Sequence, residues 1–189
     1  MGRWEPGAGD RLRSAALELF AERGYDQTTV ADIADRAGVT ARTFFRHYSD
    51  KREVLFVGSE MLRDAMVSAV ERAPATTAAL DAVGAGLARA AEFLGGHHDL
   101  SSGRQRIIDS HSELRERELI KMAGLGSDLA GALRRRGVPP TDASLAAEAG
   151  IAVLRVSFER WVAGDASGPG LDELMRDSMA QLRSLVVVD

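Results

Sequence analysis

Residues 28–51 read TTVADIADRAGVTARTFFRHYSDK, and this stretch decides the fold. Thr29 is placed to cap a helix, with Asp32 three residues on, where a carboxylate suits the positive end of the helix dipole. Val30, Ile33, Ala34 and Ala37 recur at helical spacing and make one apolar face. Gly38 supplies the turn that follows, because glycine enters left-handed backbone geometry without steric cost. Thr40 can cap a second helix, whose inward stripe is Phe44 and Tyr48. Ser49 and Asp50 are good caps for a third helix beginning at Lys51. Two short helices across a tight turn, followed by a third helix start, form a helix-turn-helix pattern.

The outward face of the second helix carries Ala41, Arg42, Phe45 and Arg46, with Thr43 and His47 on its flank. Arginine matches guanine edges and phosphates, threonine matches phosphate oxygens or a thymine methyl, and alanine lets a helix approach a groove closely. Lys51, beside helix-terminal amides, can grip a phosphate. From Arg36 to Arg52 there are five basic residues (Arg36, Arg42, Arg46, Lys51 and Arg52) against one acid, Asp50. The whole chain has 24 basic and 28 acidic residues, a net charge of -4. A small basic face on an acidic body argues for docking at a defined patch and against non-specific coating of a polyanion. A merely solvated basic helix would not require the caps, the glycine turn, the aromatic stripe and the lysine to fall in register.

The segment AGVTARTFFRHYSDKREVLF resembles the recognition helix and following helix of TetR-type transcriptional regulators, and AALELFAERGYDQTTVADIADRAGV resembles their first two helices. The resemblance runs from about Asp10 to Phe56. It implies that Thr29, Thr40, Ala41, Arg42, Thr43, Phe45, Arg46, His47 and Lys51 occupy positions that commonly touch operator DNA. Many members have tyrosine where this chain has Phe45. Without the hydroxyl a phosphate hydrogen bond is lost there, and an apolar contact to sugar or a thymine methyl takes its place.

At 189 residues, 45% hydrophobic and 28% charged, the chain is long enough for one or two domains with a real core. It has no run of the ~20 apolar residues a membrane helix needs. MGRWEPGAGD lacks the apolar centre of a signal peptide, so a cytoplasmic location is expected. The chain has no cysteine, which excludes disulfides, thiol catalysis and thiolate metal sites. His97, His98 and Asp99 are sequence neighbours, which rarely converge on one ion without a further ligand, and His111 is the remaining histidine outside the basic helix. With no G-x-S-x-G elbow or P-loop either, no enzyme, metal or cofactor is expected.

The pattern is helical throughout, giving an all-α fold of about nine helices. Residues 1–9, rich in glycine, read as a flexible arm in which Arg3 and Trp4 could brush DNA. Residues 10–56 form the DNA-binding domain, and 57–189 a helical effector-binding and dimerisation domain. The first helix runs from Asp10 to Gly24, and the helix from Lys51 to about Arg72 enters the second domain. Helices follow over Leu80–Leu94, around Ser102–Asp109 after a polar loop at His97–Asp99, from a Ser112 cap to Gly137, over Ala143–Val162 and over Leu171–Leu185. The β-branched centre of Ala143–Val162 could suit a strand, but its length and the lack of a partner strand favour a helix.

A helix apolar nearly all round must be buried, and so small a chain offers little interior to cover it. Ala143–Val162 and Leu171–Leu185 are therefore expected to meet a second copy. The interface would comprise Ala146, Ala149, Gly150, Val153, Leu171, Leu174, Met175, Ser178 and Leu182. One short recognition helix specifies poorly, and a symmetric dimer doubles the contacts on a palindromic site. The family resemblance, whose members dimerise through their last two helices, points the same way.

The same resemblance implies a small-molecule pocket among the central helices. RQRIIDSHSELRERELIKMAGL and AAEAGIAVLRVSFERWVAGD are similar to the C-terminal domain of an actinobacterial subgroup that binds acyl-CoA-like ligands. That likeness implies a repressor released by a hydrophobic or acyl-CoA-like effector. Its pocket would be walled by Met61, Met66, Leu87, Phe93, Leu125, Phe158 and Trp161, with Arg104, Arg106 and Arg155 at an anionic end. Such side chains are also ordinary core and ion-pair residues. The alternative is a constitutive DNA-binding dimer with no effector, and a fully packed C-terminal core would favour it.

Overall fold

Both threonine caps form in the computed structural model, which describes residues 7–186. Among these residues there are nine α-helices, one 3-10 segment and no strand. The first three are α1 (Ala8–Arg23), α2 (Val30–Arg36) and α3 (Ala41–His47), with the 3-10 segment at Lys51–Phe56. The remainder are α4 (Ser59–Arg72), α5 (Ala79–Leu94), α6 (His98–Ser110), α7 (Ser112–Arg135), α8 (Pro140–Ala163) and α9 (Leu171–Val186). Most of the expected arm, including Arg3 and Trp4, lies outside the described residues. Ala8 and Gly9 already belong to α1.

Other boundaries also differ from expectation. The helix expected over Lys51 to Arg72 is broken, because Val57 is extended and Gly58 adopts φ +87, where only glycine is at ease. His98 and Asp99 form the first turn of α6 and not a loop. Ser112 is the first residue of α7, and His111 takes the cap position without a side-chain bond to the α7 amides. The ambiguous stretch is helix α8, started by Pro140, whose missing N–H costs nothing in the first turn.

The buried side chains fall into two clusters. One, from α1, α2, α3 and the 3-10 segment, is built around Leu12, Leu19, Phe20, Ile33, Phe44 and Leu55. Ile108 of α6 and Leu114 of α7 are also fully buried in it. The other joins α4, α5, α7, α8 and α9 through residues such as Met66, Val83, Leu129, Leu133, Leu154 and Met175. Arg136, just past α7, ties the turn after α4 by donating to the carbonyls of Val70, Ala73, Pro74 and Thr77. Ser157 Oγ of α8 donates to the Leu174 carbonyl (3.1 Å) and accepts from the Ser178 hydroxyl (2.9 Å), so the buried hydroxyls joining α8 to α9 are satisfied.

Most of the residues expected at the interface pack within the chain. Val153, Leu171, Leu174, Met175 and Ser178 are buried inside the chain, while Ala146 and Leu182 pack against the same core. Gly150 faces Val83 of α5, so its lack of a side chain serves a helix crossing within the chain. The outward side of α8 presents Ala149 of the expected set together with Leu145, Ala152 and Val156, at spacings of four, three and four, with Leu145 66% and Val156 42% exposed.

A methyl group at position 150 would run into Val83 Cγ1. Gly150→Ala is therefore expected to lower unfolding stability by about 1–3 kcal/mol through overpacking, read as a reduced denaturant midpoint. An unchanged midpoint would show that α5 and α8 are not held at this crossing.

Candidate nucleic-acid interface

The α2–α3 unit is held by local bonds that its sequence prescribes. Thr29 Oγ1 accepts from Asp32 N–H (3.1 Å), and the Asp32 carboxylate accepts from Thr29 N–H (2.9 Å) and from the Thr29 hydroxyl (2.6 Å). These bonds from Thr29, aided by Arg23, hold the Asp32 carboxyl below the usual carboxylate range. Gly38 takes φ +67 and closes α2 with Gly38 N–H to Asp35 O and Val39 N–H to Ala34 O. Thr40 Oγ1 accepts from Thr43 N–H at 3.2 Å, starting α3. Phe44 is fully buried and packs against Tyr48 with ring centres 5.3 Å apart. Tyr48 in turn donates to Gly9 O (3.0 Å), fastening α3 to the start of α1.

With Phe44 inward, the other side of α3 is turned to solvent. Ala41, Arg42, Phe45, Arg46 and His47 are exposed and Thr43 is half-buried. Phe45 is 58% exposed on this face, with its ring edge-on to Phe44. Among the described residues, Arg42 and Arg46 make no ion pair or side-chain hydrogen bond.

The other basic groups of this region are occupied. Arg36 bridges Glu18 (3.3 Å) and Glu22 (2.8 Å) of α1, and Arg52 is held by Asp50 (2.7 Å). Lys51 donates to the carbonyls of Tyr25 (2.8 Å) and Thr28 (3.1 Å), with its ammonium 4.2 Å from the centre of the Tyr25 ring. The amides expected to share a phosphate with it, those of Arg52 and Glu53, are bonded to Asp50 Oδ1. Lys51 thus braces the α1–α2 turn, two of its three donors being used. The basic field read from the sequence contracts to Arg42 and Arg46 on α3. The Glu18–Glu22 pair, four residues apart on α1, was the signal that Arg36 would be taken.

The residues expected around a ligand are not brought together. Met66, Leu87, Leu125 and Trp161 are buried in the second core, and Phe158 packs on it. Met61 is 60% and Phe93 37% exposed, with Phe93 lying over Gly58. Arg104 is engaged by Leu55 O and Glu118, Arg106 bonds to Ser102 O on its own helix, and Arg155 is exposed. His98 packs on Trp161, bonding to its carbonyl (3.0 Å), whereas His111 stacks edge-on against Tyr25. A groove of about 750 Å³ that the sequence reading missed lies between α5 and α9. Leu87, Ala91, Met175 and Met179 line it, with Arg176 and Arg183 also at its wall.

Residues 12–56 match the sequence model of the bacterial regulatory proteins of the tetR family. The chain is 44% identical over 66 residues to the HTH-type transcriptional regulator TcmR of Streptomyces glaucescens, a match covering 35% of this chain and 29% of that protein. Across nearly the whole chain, similarity is to solved structures. Thermus thermophilus FadR, a TetR-family repressor solved with lauroyl-CoA, is 26% identical, has a TM-score of 0.61 and is covered over 96% of both chains. Bacillus subtilis FadR, solved with stearoyl-CoA, shares the fold at 22% identity and a TM-score of 0.66, over 94% of this chain and 99% of that one.

Thr29→Ala removes the hydroxyl of the α2 cap and is expected to cost about 1 kcal/mol of stability, measured by denaturant unfolding. Because the native Asp32 carboxyl lies below its unfolded value, the cap contributes above the ordinary carboxylate pH range. That contribution is lost as pH falls through the lowered native value. The wild-type advantage over Thr29→Ala should accordingly shrink in acid, and a difference independent of pH would contradict the assignment.

Proposed function

We propose that this chain, a member of the tetR family of bacterial regulatory proteins, is a repressor that binds a palindromic operator as a homodimer, with α3 in the major groove of each half-site. The observation that carries the reading is the outward face of α3, where Arg42 and Arg46 are unpaired among the described residues beside an exposed Phe45, while Arg36, Lys51 and Arg52 are all engaged. Arg42 and Arg46 supply guanine and phosphate contacts, Phe45 covers a sugar or thymine methyl, and Ala41, Thr43 and His47 complete the surface. Thr29 and Thr40, whose hydroxyls cap their own helices, and Lys51 act chiefly by holding the unit in shape.

Homodimerisation is supported by the apolar outward stripe of α8. A second copy packed on Leu145, Ala149, Ala152 and Val156 would cover it and set two α3 helices on successive half-sites. The inferred effector is an acyl-CoA-like molecule, supported by the likeness to a repressor solved with lauroyl-CoA. The α5–α9 groove, lined by Leu87, Ala91, Met175 and Met179, is the entry inferred for its apolar chain, while Arg176 and Arg183 at the wall are paired with Asp172 and Asp81. One observation favours the second reading, a constitutive DNA-binding dimer. Met66, Leu87, Leu125 and Trp161, expected to wall a pocket, are packed core.

A duplex selected from random DNA by the wild-type protein tests the first part. Arg42→Ala should lose about 1–3 kcal/mol on that duplex and tolerate more sequences, and equal losses on every sequence would reduce Arg42 to a phosphate contact. Leu145→Glu and Val156→Glu should sediment as monomers and bind the duplex weakly, whereas unchanged sedimentation would move the interface elsewhere. Lauroyl-CoA added to the preformed complex should release the duplex. Binding that does not respond would leave the constitutive reading.

A further inference from the structure

The break at Gly58 raises the question of what sets the angle between the DNA-binding head and the helical body. Val57 and Gly58 interrupt the chain between the 3-10 segment and α4, and α4 begins afresh with Leu62 N–H bonded to Gly58 O. A rigid rod from Lys51 into the body does not exist. The 3-10 segment is instead gripped from the side by α6 and α7. Arg104 of α6 donates from Nε to Leu55 O (2.6 Å) and from a terminal nitrogen to Glu118 of α7 (3.1 Å). Its guanidinium also lies 5.2 Å from the centre of the Phe56 ring. Glu53, at the other end of the segment, is paired with Arg117 and with Lys121 (3.7 Å), both from α7. Gln105 bonds to Glu118 (3.2 Å) and Asp109 (2.9 Å), holding the acceptor of Arg104 in place.

Leu55 O lies near the C-terminal end of the 3-10 segment, where carbonyls lack partners within the helix and the dipole favours a cation. Ile108 and Leu114, on either side of the α6–α7 elbow, are buried in the core of the head. Burial lowers the pKa of Arg104, and the Glu118 charge opposes that shift. Arginine keeps its charge under such conditions and binds two acceptors with one planar group.

We propose that Arg104 is a positioning residue for DNA binding, whose guanidinium, locked between Leu55 O and Glu118, fixes the orientation of the head on the body by a route that bypasses α4. The proposal rests on the DNA-binding reading for its purpose, but the clamp can be tested without DNA. The chain has no cysteine, so spin labels can be placed solely at Asp35→Cys on α2 and Gln181→Cys on α9, both exposed. Labelled chain is diluted with excess unlabelled chain and the head-to-body distance distribution measured by pulsed dipolar spectroscopy.

One narrow peak is expected in the otherwise wild-type protein, and Arg104→Met should broaden or displace it while helicity is retained. An unchanged peak overturns the proposal. Should Arg104→Met fail to fold, Glu118→Gln, which weakens one end of the clamp, is read by the same criterion. On duplexes that differ in half-site separation, Arg104→Met should lose about tenfold in affinity at the wild-type optimum and less elsewhere, flattening the preference. A uniform loss at every separation would mark Arg104 as merely structural. Failure of the wild-type protein to bind any duplex would sink the DNA reading while leaving the distance measurement decisive for the clamp.

Discussion

Where α3 points depends on the burial of the α6–α7 elbow in the head. The head is a small three-helix unit, and α1, α2, α3 and the 3-10 segment supply most of its interior. Ile108 and Leu114 come from more than fifty residues further along the chain, yet both are fully buried in that interior. Removing either from water is worth roughly 1.5–3 kcal/mol, a substantial share of the stability of so small a unit. The head therefore sits against the elbow as well as following from the covalent connection through Val57 and Gly58. Polar links surround this contact: Tyr25 donates to Glu113, His111 lies near Asp26, and Arg104 reaches Leu55.

Electrostatics in the head follow a consistent division. Cations that face acids or carbonyls within reach are used for structure, as with Arg36 between Glu18 and Glu22 and Lys51 over the α1–α2 turn. Arg42 and Arg46 extend from a helix whose opposite side is sealed by Phe44, and among the described residues no acid pairs with them. In a protein of net charge -4, two unopposed guanidinium groups on one protruding helix form a local field of the sign a phosphate backbone requires. Phe45 beside them adds an apolar contact surface.

Much of the architecture was legible because it is local. The Thr29–Asp32 box, the Gly38 turn, the Thr40 cap and the Phe44–Tyr48 stripe depend on residues within about one helical turn of one another, and each formed as the spacing indicated. The helical character of α8 was readable from its length. What misled was the assignment of faces. Gly150 and its neighbouring alanines signal a close approach of helices, but composition does not say whether the approaching helix belongs to the same chain. Here it is α5 that Gly150 faces, and Ala147 is buried in the body, while Ala149 lies on the outward side. The uninterrupted helix expected from Lys51 failed at Gly58, a single glycine whose positive φ is a tertiary choice that a helical pattern can tolerate.

By itself, the sequence determined an all-α chain, the capped helices of the head and the outward row Ala41, Arg42, Phe45 and Arg46, since backbone hydrogen bonding and helical periodicity act over short separations. Only the tertiary structure decided that Arg36 and Lys51 would be consumed by partners in the head and that Met66, Leu87, Leu125 and Trp161, expected to wall a pocket, would be buried core. It also decided that the outer stripe of α8 would be Leu145, Ala149, Ala152 and Val156. Those outcomes depend on which faces meet across tens of residues, where burial of apolar surface is non-directional and the pattern along a single helix does not name its partner.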